Sequence, residues 1–241
     1  MMHQLALELG SAPTPTFDNF VVAQNAEVLA RLAAIAAGRP VERFVYLWGV
    51  PGSGRTHLLR ALWAAVTARG GRAEYVAVDA ALTALPDTAG LDALLVDDVG
   101  ALSSAAQIAL FNAYNALRER GAALIASGDV PAVQLPLRPD VVTRLGWGLV
   151  YQVHAMSDEE KASALAEQAA ARGFTLAEGI TDYLLCHVAR DMGSLIALLD
   201  ALDRYSLEAK RPVTLALVRE LVRAREHERQ LELPMNGQEP R

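Results

Sequence analysis

The run Gly49-Val50-Pro51-Gly52-Ser53-Gly54-Arg55-Thr56 stands between an apolar segment, Phe44-Val45-Tyr46-Leu47-Trp48, and a stretch with helical spacing that begins at Arg55. A chain that leaves a strand and enters a helix through glycines can curl its backbone N–H groups around a small anion. The opening turn of the helix adds its partial positive charge at the same place. The spacing fits the template G-x-x-x-x-G-K-[ST] at every position but one, because Arg55 stands where lysine is expected. Gly49, Pro51, Gly52, Ser53, Gly54, Arg55 and Thr56 are therefore candidate phosphate-binding residues, and the Thr56 hydroxyl suits Mg2+. His57 follows on the helix beside the same loop, where packing is its main expected role. Lysine is a compact point charge; arginine is wider, planar and permanently charged. Arg55 thus suits holding a diphosphate better than assisting transfer of a γ-phosphoryl group.

The surrounding pattern predicts where that loop sits. Short apolar runs at 44–48, 74–78, 93–96, 122–126 and 149–153 alternate with helical segments at 55–69, 103–120 and 139–145. Continuous apolar strands separated by amphipathic helices predict a parallel sheet covered on both faces, a three-layer α/β domain. A first helix is expected over Asn25–Ala37, with Val28, Leu29, Leu32 and Ile35 on one face. Leu94-Leu95-Val96-Asp97-Asp98 puts two carboxylates at the tip of an apolar strand, and ligands of parallel sheets bind at that end. Asp97 is the candidate to hold Mg2+ through water, and Asp98 the candidate to polarise an attacking water.

After His154 the strand signals stop. Ser157 with Glu160 three residues later forms a capping box, and helices are expected near 158–172, 180–189, 193–208 and 215–231. The expected organisation is a flexible head (1–16), an α/β base domain (17–155), a small all-helical lid domain (156–232) and a tail (233–241). No apolar run reaches the length of about 18–20 residues that spans a bilayer, and the N-terminus lacks a basic-then-apolar signal pattern. A single cysteine, Cys186, rules out an internal disulfide framework and reads as a buried helix residue. These features point to a cytoplasmic protein without membrane contact. The net charge of −6 opposes free-standing duplex DNA binding, leaving DNA contact indirect or weak. Trp48, Trp63 and Trp147 are expected in or beside the core.

These residues together resemble the AAA+ ATPases, and within them the DnaA-related proteins, from about Thr16 to Gln230. Phe17-Asp18-Asn19-Phe20-Val21 resembles the entry motif whose Phe20 and Val21 would border an adenine. Ser127-Gly128-Asp129-Val130-Pro131 resembles the sensor 1 turn, with Asp129 as its polar residue. Arg138-Pro139-Asp140-Val141-Val142-Thr143-Arg144-Leu145-Gly146-Trp147-Gly148 resembles the segment that carries an inter-subunit arginine finger, a role that maps to Arg144. The arginine that touches nucleotide from the lid in such proteins has Gly193 at the aligned position; Arg190, one turn earlier, is the candidate to replace it.

A base and lid with a short head, and no appended basic domain, is similar to the plan of the Hda family, regulators that inactivate the initiator. Gln4-Leu5-Ala6-Leu7-Glu8-Leu9 resembles a sliding-clamp motif, in which Gln4 would bond at a pocket rim and Leu5, Leu7 and Leu9 would enter an apolar groove. Gln230-Leu231-Glu232-Leu233-Pro234-Met235 is either the end of the last helix or a second such motif. The resemblance implies bound ADP or ATP with Mg2+, DnaA and the DNA polymerase III sliding clamp (beta) as partners, and Arg144 acting in trans on DnaA-bound ATP. It leaves room for a homo-oligomer. The departures at Arg55 and Gly193 point away from an ATPase cycle of its own. The alternative is an autonomous AAA+ ATPase of helicase-loader or transposition-helper type.

Overall fold

The computed structural model describes residues 14–39, 41–79, 82, 84–188, 191–209 and 213–231. The candidates Gln4, Leu5, Leu7, Leu9 and Arg190 lie outside the described residues, as do residues 232–235 of the second clamp-like segment. The chain divides into two compact units, one spanning Thr14–Met156 and the other containing residues 157–231.

The first unit runs α1 (Ala26–Ala36), β1 (Phe44–Trp48), α2 (Arg55–Ala68), β2 (Ala73–Ala77), β3 (Ala93–Asp97), α3 (Ser104–Glu119), β4 (Ala123–Gly128), α4 (Pro139–Trp147) and β5 (Leu149–Gln152). All five strands are parallel, in the order β2-β3-β4-β1-β5. Because side chains alternate along a strand, each central strand feeds two cores. Phe44 and Tyr46 of β1, Leu94 and Val96 of β3, and Leu124 and Ala126 of β4 pack against α3 and α4 through Leu110, Tyr114, Leu117, Val141 and Leu145. Val45 and Leu47, Ala93 and Leu95, and Ala123 and Ile125 pack on the other face against α1 and α2 through Leu32, Leu58, Leu59 and Leu62. The result is the expected three-layer α/β architecture.

Burial on both faces holds for β1, β3 and β4 but not for the two edge strands. β2 and β5 are half-exposed, and Val150 faces solvent. With one neighbouring strand each, they are covered less completely than the central strands, although Ala73, Tyr75, Leu149 and Tyr151 still pack against the α1 and α2 side of the core. Trp63 and Trp147 lie beside the core rather than within it, with 39% and 55% exposure. Trp63 lies over the edge of β2, its indole N–H donating to the Ala73 carbonyl at 3.1 Å.

Tyr46 marks where the α3-side core meets the strand ends. Its ring is fully buried and its hydroxyl donates to the Val130 carbonyl at 2.7 Å, pinning the turn after β4. Burial raises its pKa, so it stays a donor. Tyr46→Phe leaves that carbonyl without its buried donor, a change that costs about 1–2 kcal/mol. Thermal unfolding should show the Tm lowered by roughly 2–8 °C; an unchanged Tm would mean the turn is held by other contacts.

The second unit packs α5 (Asp158–Ala171), α6 (Ile180–His187), α7 (Met192–Ala209) and α8 (Leu215–Leu231) around Leu165, Leu184, Leu195, Leu199, Leu202 and Val218. The capping box forms as expected: Glu160 N–H donates to Ser157 Oγ, and Ser157 N–H donates to the Glu160 carboxylate. Cys186 corrects the sequence reading, since it is exposed. α6 buries Ile180, Leu184 and Leu185, and Cys186 falls on the opposite face of that turn. Among the described residues no helix is long and apolar enough to cross a membrane.

Candidate functional site

The phosphate loop leaves the carboxyl end of β1, which lies between β4 and β5. Gly52 has φ +80° and Gly54 φ +101°, backbone that an L side chain adopts only under strain. At Gly54 space is also denied, because a Cβ would come within 2.8 Å of the Phe20 ring. Phe20 of the entry segment thus packs directly on the loop. The same segment is tied to α2 through His57, whose Nε2 lies 2.9 Å from the Thr16 carbonyl and whose ring centroid is 5.4 Å from that of Phe20. Val21 is half-buried beside Phe20, and Pro51, Gly52 and Thr56 face solvent.

Burial holds the His57 pKa below its ordinary value, partly offset by the Thr16 carbonyl. The unfolded chain therefore takes up this proton first as pH falls. Stability from this group is present above about pH 6.5 and is lost as pH falls from there through the lower folded value. Wild-type Tm should drop more than that of His57→Gln between pH 7.5 and pH 5.5; parallel drops would remove His57 from the acid response.

Arg55 opens α2 and is buried, with 7% exposure. Its Nη2 pairs with Asp129 at 2.5 Å and with Asp98 at 3.4 Å. The register explains the meeting. β4 adjoins both β1 and β3, so the tips of all three strands, and the residues just beyond them, converge on one place. Asp97 ends β3 buried, accepting from the Ser127 hydroxyl on one oxygen and from Tyr75 Oη at 2.7 Å on the other. Burial pushes the Tyr75 hydroxyl up to about 12, so it remains the donor in this pair. Asp98 N–H donates to Ser127 Oγ at 3.0 Å, which helps hold Asp98 at φ +59°. Burial, and secondarily the Asp97 charge, raise the Asp98 pKa, while Arg55 opposes them.

Two buried side-chain polar atoms lack a hydrogen-bond partner among the described residues, Ser53 Oγ and Arg55 Nη1, and both belong to this loop. Buried donors left unpaired are costly. Their location beside a helix N-terminus and two left-handed glycines fits an anionic phosphate chain. For Mg2+, Thr56 is exposed at the loop, and Asp97 keeps lone pairs beyond the two hydroxyls it accepts.

Arg144 is elsewhere. On α4 its guanidinium lies 3.9 Å from the centre of the Trp147 ring, with Phe111 at 5.3 Å and Tyr114 at 5.6 Å. Tyr114 and Trp147 line a cleft with Phe44 and Ala122, where β1 and β4 begin. The structure therefore brings Gly49–His57, Phe20, Asp97, Asp98 and Asp129 together at the strand ends and holds Arg144 apart from them. Sequence reasoning missed Tyr75, the bonding role of Ser127, and the ring cage. No local signal marks the first two, because Tyr75 and Ser127 meet Asp97 only through the pairing of β3 with β2 and β4.

Residues 158–222 match the family model described as Hda, lid domain. Domain III of the replication initiation protein DnaA from Thermotoga maritima is similar with a TM-score of 0.70 and 22% identity, over 89% of this chain and 98% of that one. AMPPCP-bound DnaA from Aquifex aeolicus is similar with a TM-score of 0.65 and 22% identity, over 82% and 70%. A RuvB mutant from Thermotoga maritima gives a TM-score of 0.56 and 16% identity, over 87% and 72%. These likenesses show the fold, a parallel-sheet α/β base followed by a small helical unit whose sequence matches a lid-domain model.

Proposed function

We propose that this chain, an AAA+ protein related to DnaA in fold and resembling Hda through its lid, regulates the initiation of chromosome replication by stimulating hydrolysis of DnaA-bound ATP. The observation that carries the reading is the separation of its two key guanidinium groups. Arg55 sits at the strand ends among acceptors. Arg144 sits against rings that line the strand starts. The five-residue β1 alone spans roughly 13–17 Å between those ends, so Arg144 cannot serve the chain's own phosphate loop. Its charge is also not neutralised, because among the described residues it makes no ion pair. Ring faces hold a guanidinium in place while leaving most of its N–H donors unused. An arginine so held suits delivery to charge that develops on another molecule's γ-phosphate.

The chain's own nucleotide, ADP in this reading, would be held by the loop amides, Ser53 and Arg55, with Phe20, Val21 and His57 bordering the base. Asp129 would position Arg55, and Arg190 would approach from the lid. Mg2+, held by Thr56 and by Asp97 through water, would neutralise phosphate charge. A ligand that binds the folded form stabilises it, which gives the nucleotide a structural role. Gln4, Leu5, Leu7 and Leu9 would tether the chain to the sliding clamp and raise its effective concentration near DnaA.

One observation favours the autonomous ATPase: Asp97 and Asp98 both stand at the strand tips beside the loop. Against it, Asp98, the residue expected to polarise water, is engaged by Arg55. ATP turnover by the chain alone, and then by DnaA with the chain and clamp-loaded DNA, separates the two. The regulatory reading expects little turnover alone and a large increase with DnaA. It also expects that Gln4→Ala with Leu5→Ala removes only the clamp-dependent part. Brisk turnover alone, with no effect on DnaA, would overturn it.

A further inference from the structure

We infer that the base carries a second anion site, at the strand-start end, that takes a ligand with at least two phosphoryl groups. Two adjoining clefts of about 630 and 480 Å3 share Arg43, Arg120, Gly121 and Ala122. The first adds Arg118 and Trp147, the second Arg69. None of these four arginines takes part in an ion pair among the described residues. The two carboxylates in the lining are turned to backbone instead. Glu42 accepts from the N–H groups of Arg43 and Phe44 at 2.9 and 3.0 Å, and Asp92 accepts from the N–H of Arg72 at 2.9 Å.

The arginines are also anchored. Arg43 donates to the Gly121 carbonyl at 2.5 Å, Arg120 donates to the Thr88 carbonyl, and Arg118 lies over the Trp147 ring at 5.5 Å. Each such contact uses one or two of the five donors a guanidinium offers. The remaining donors line clefts in which four guanidinium groups outnumber two carboxylates, in a chain of net charge −6. Planar forked donors match phosphate oxygens two at a time. Cleft volumes of this size suit a compact ligand, and Arg43 with Arg120, shared by both clefts, would bridge a phosphoryl group in each. The site lies at the opposite end of the strands from the phosphate loop and does not depend on Arg144 acting on DnaA.

The test uses the full chain with excess ADP present and inorganic tripolyphosphate as the probe, followed by calorimetry. One further binding event is expected, weakening as salt is raised. Arg43→Gln with Arg120→Gln should lower tripolyphosphate affinity by about tenfold or more while ADP affinity stays as in the wild type. Arg118→Gln, at an exposed helix position, is the second variant should the first fail to fold, and it should weaken the probe as well. A short oligothymidylate distinguishes the source of the phosphates. If it displaces the probe in an arginine-dependent way, the phosphates are those of a nucleic-acid strand; if it does not, they belong to a free polyphosphate ligand. Absence of a second event, or equal tripolyphosphate binding by the variants, would overturn the site.

Discussion

Arg144→Ala should abolish the acceleration of DnaA-bound ATP hydrolysis while the chain stays folded and keeps its nucleotide affinity. A guanidinium supplied in trans to a developing γ-phosphate charge is worth about 10³–10⁵ in rate, which corresponds to roughly 4–7 kcal/mol of barrier. Few single substitutions far from a chain's own nucleotide could have an effect of that size. The fold has little stake in Arg144, because α4 is held to the sheet by buried Val141 and Leu145, while Arg144 rests on ring faces at the surface of that core. Arg144→Lys is the informative companion. It keeps the charge but loses the planar stack on Trp147 and the forked donors, so most of the acceleration should go with it. The measurements are single-turnover hydrolysis of ATP on DnaA, nucleotide affinity by calorimetry and Tm by calorimetric scan. Full acceleration by Arg144→Ala would take Arg144 out of the chemistry, and a Tm lowered by about 10 °C or more, beyond the few degrees a surface change produces, would make the loss one of folding.

How much of this was legible in the sequence depends on how far each feature reaches along the chain. The loop at 49–56 and the capping box at Ser157–Glu160 are local, and both stand where the sequence put them. The central strands were legible because burial on both faces leaves continuous apolar runs, as in Leu94-Leu95-Val96. The edge strands carry similar letters, and nothing local tells Val150 that it has no neighbour on one side. Cys186 shows the limit of composition, since a cysteine is usually buried, yet helix phase sets it outward. The partners of Arg55 were harder still. Asp129 lies 74 residues away, and the two meet because β4 pairs with β1, an order that the sequence of strands does not announce. The cage around Arg144 joins α3 to α4, and the sequence left Trp147 either in or beside the core; the packing puts it beside, over the Arg144 guanidinium.

The pair between Arg55 and Asp98 predicts how the loop would respond to the residue that its template expects. Arg55→Ala removes a buried cation that would donate to phosphate, and charge-assisted bonds of that kind contribute about 1.5–3 kcal/mol each. Nucleotide affinity measured by calorimetry should fall by roughly 100-fold. Arg55→Lys is a different experiment. The guanidinium fork reaches Asp129 and Asp98 through one nitrogen and leaves Nη1 directed at no acceptor. An ammonium is a single compact charge on a flexible stem, so it would turn to phosphate and release at least one carboxylate. Asp98 is the weaker-held of the two, at 3.4 Å against 2.5 Å for Asp129, and its pKa is already raised. Freed, it becomes available to orient water. Arg55→Lys should therefore keep nucleotide affinity within about tenfold of wild type and raise the chain's own ATP turnover, read as phosphate release without DnaA. If turnover does not rise, the Arg55–Asp98 pair is not what restrains hydrolysis. If Arg55→Ala binds nucleotide as tightly as wild type, the unpaired Nη1 is not aimed at phosphate at all, and the loop holds its ligand through backbone amides alone.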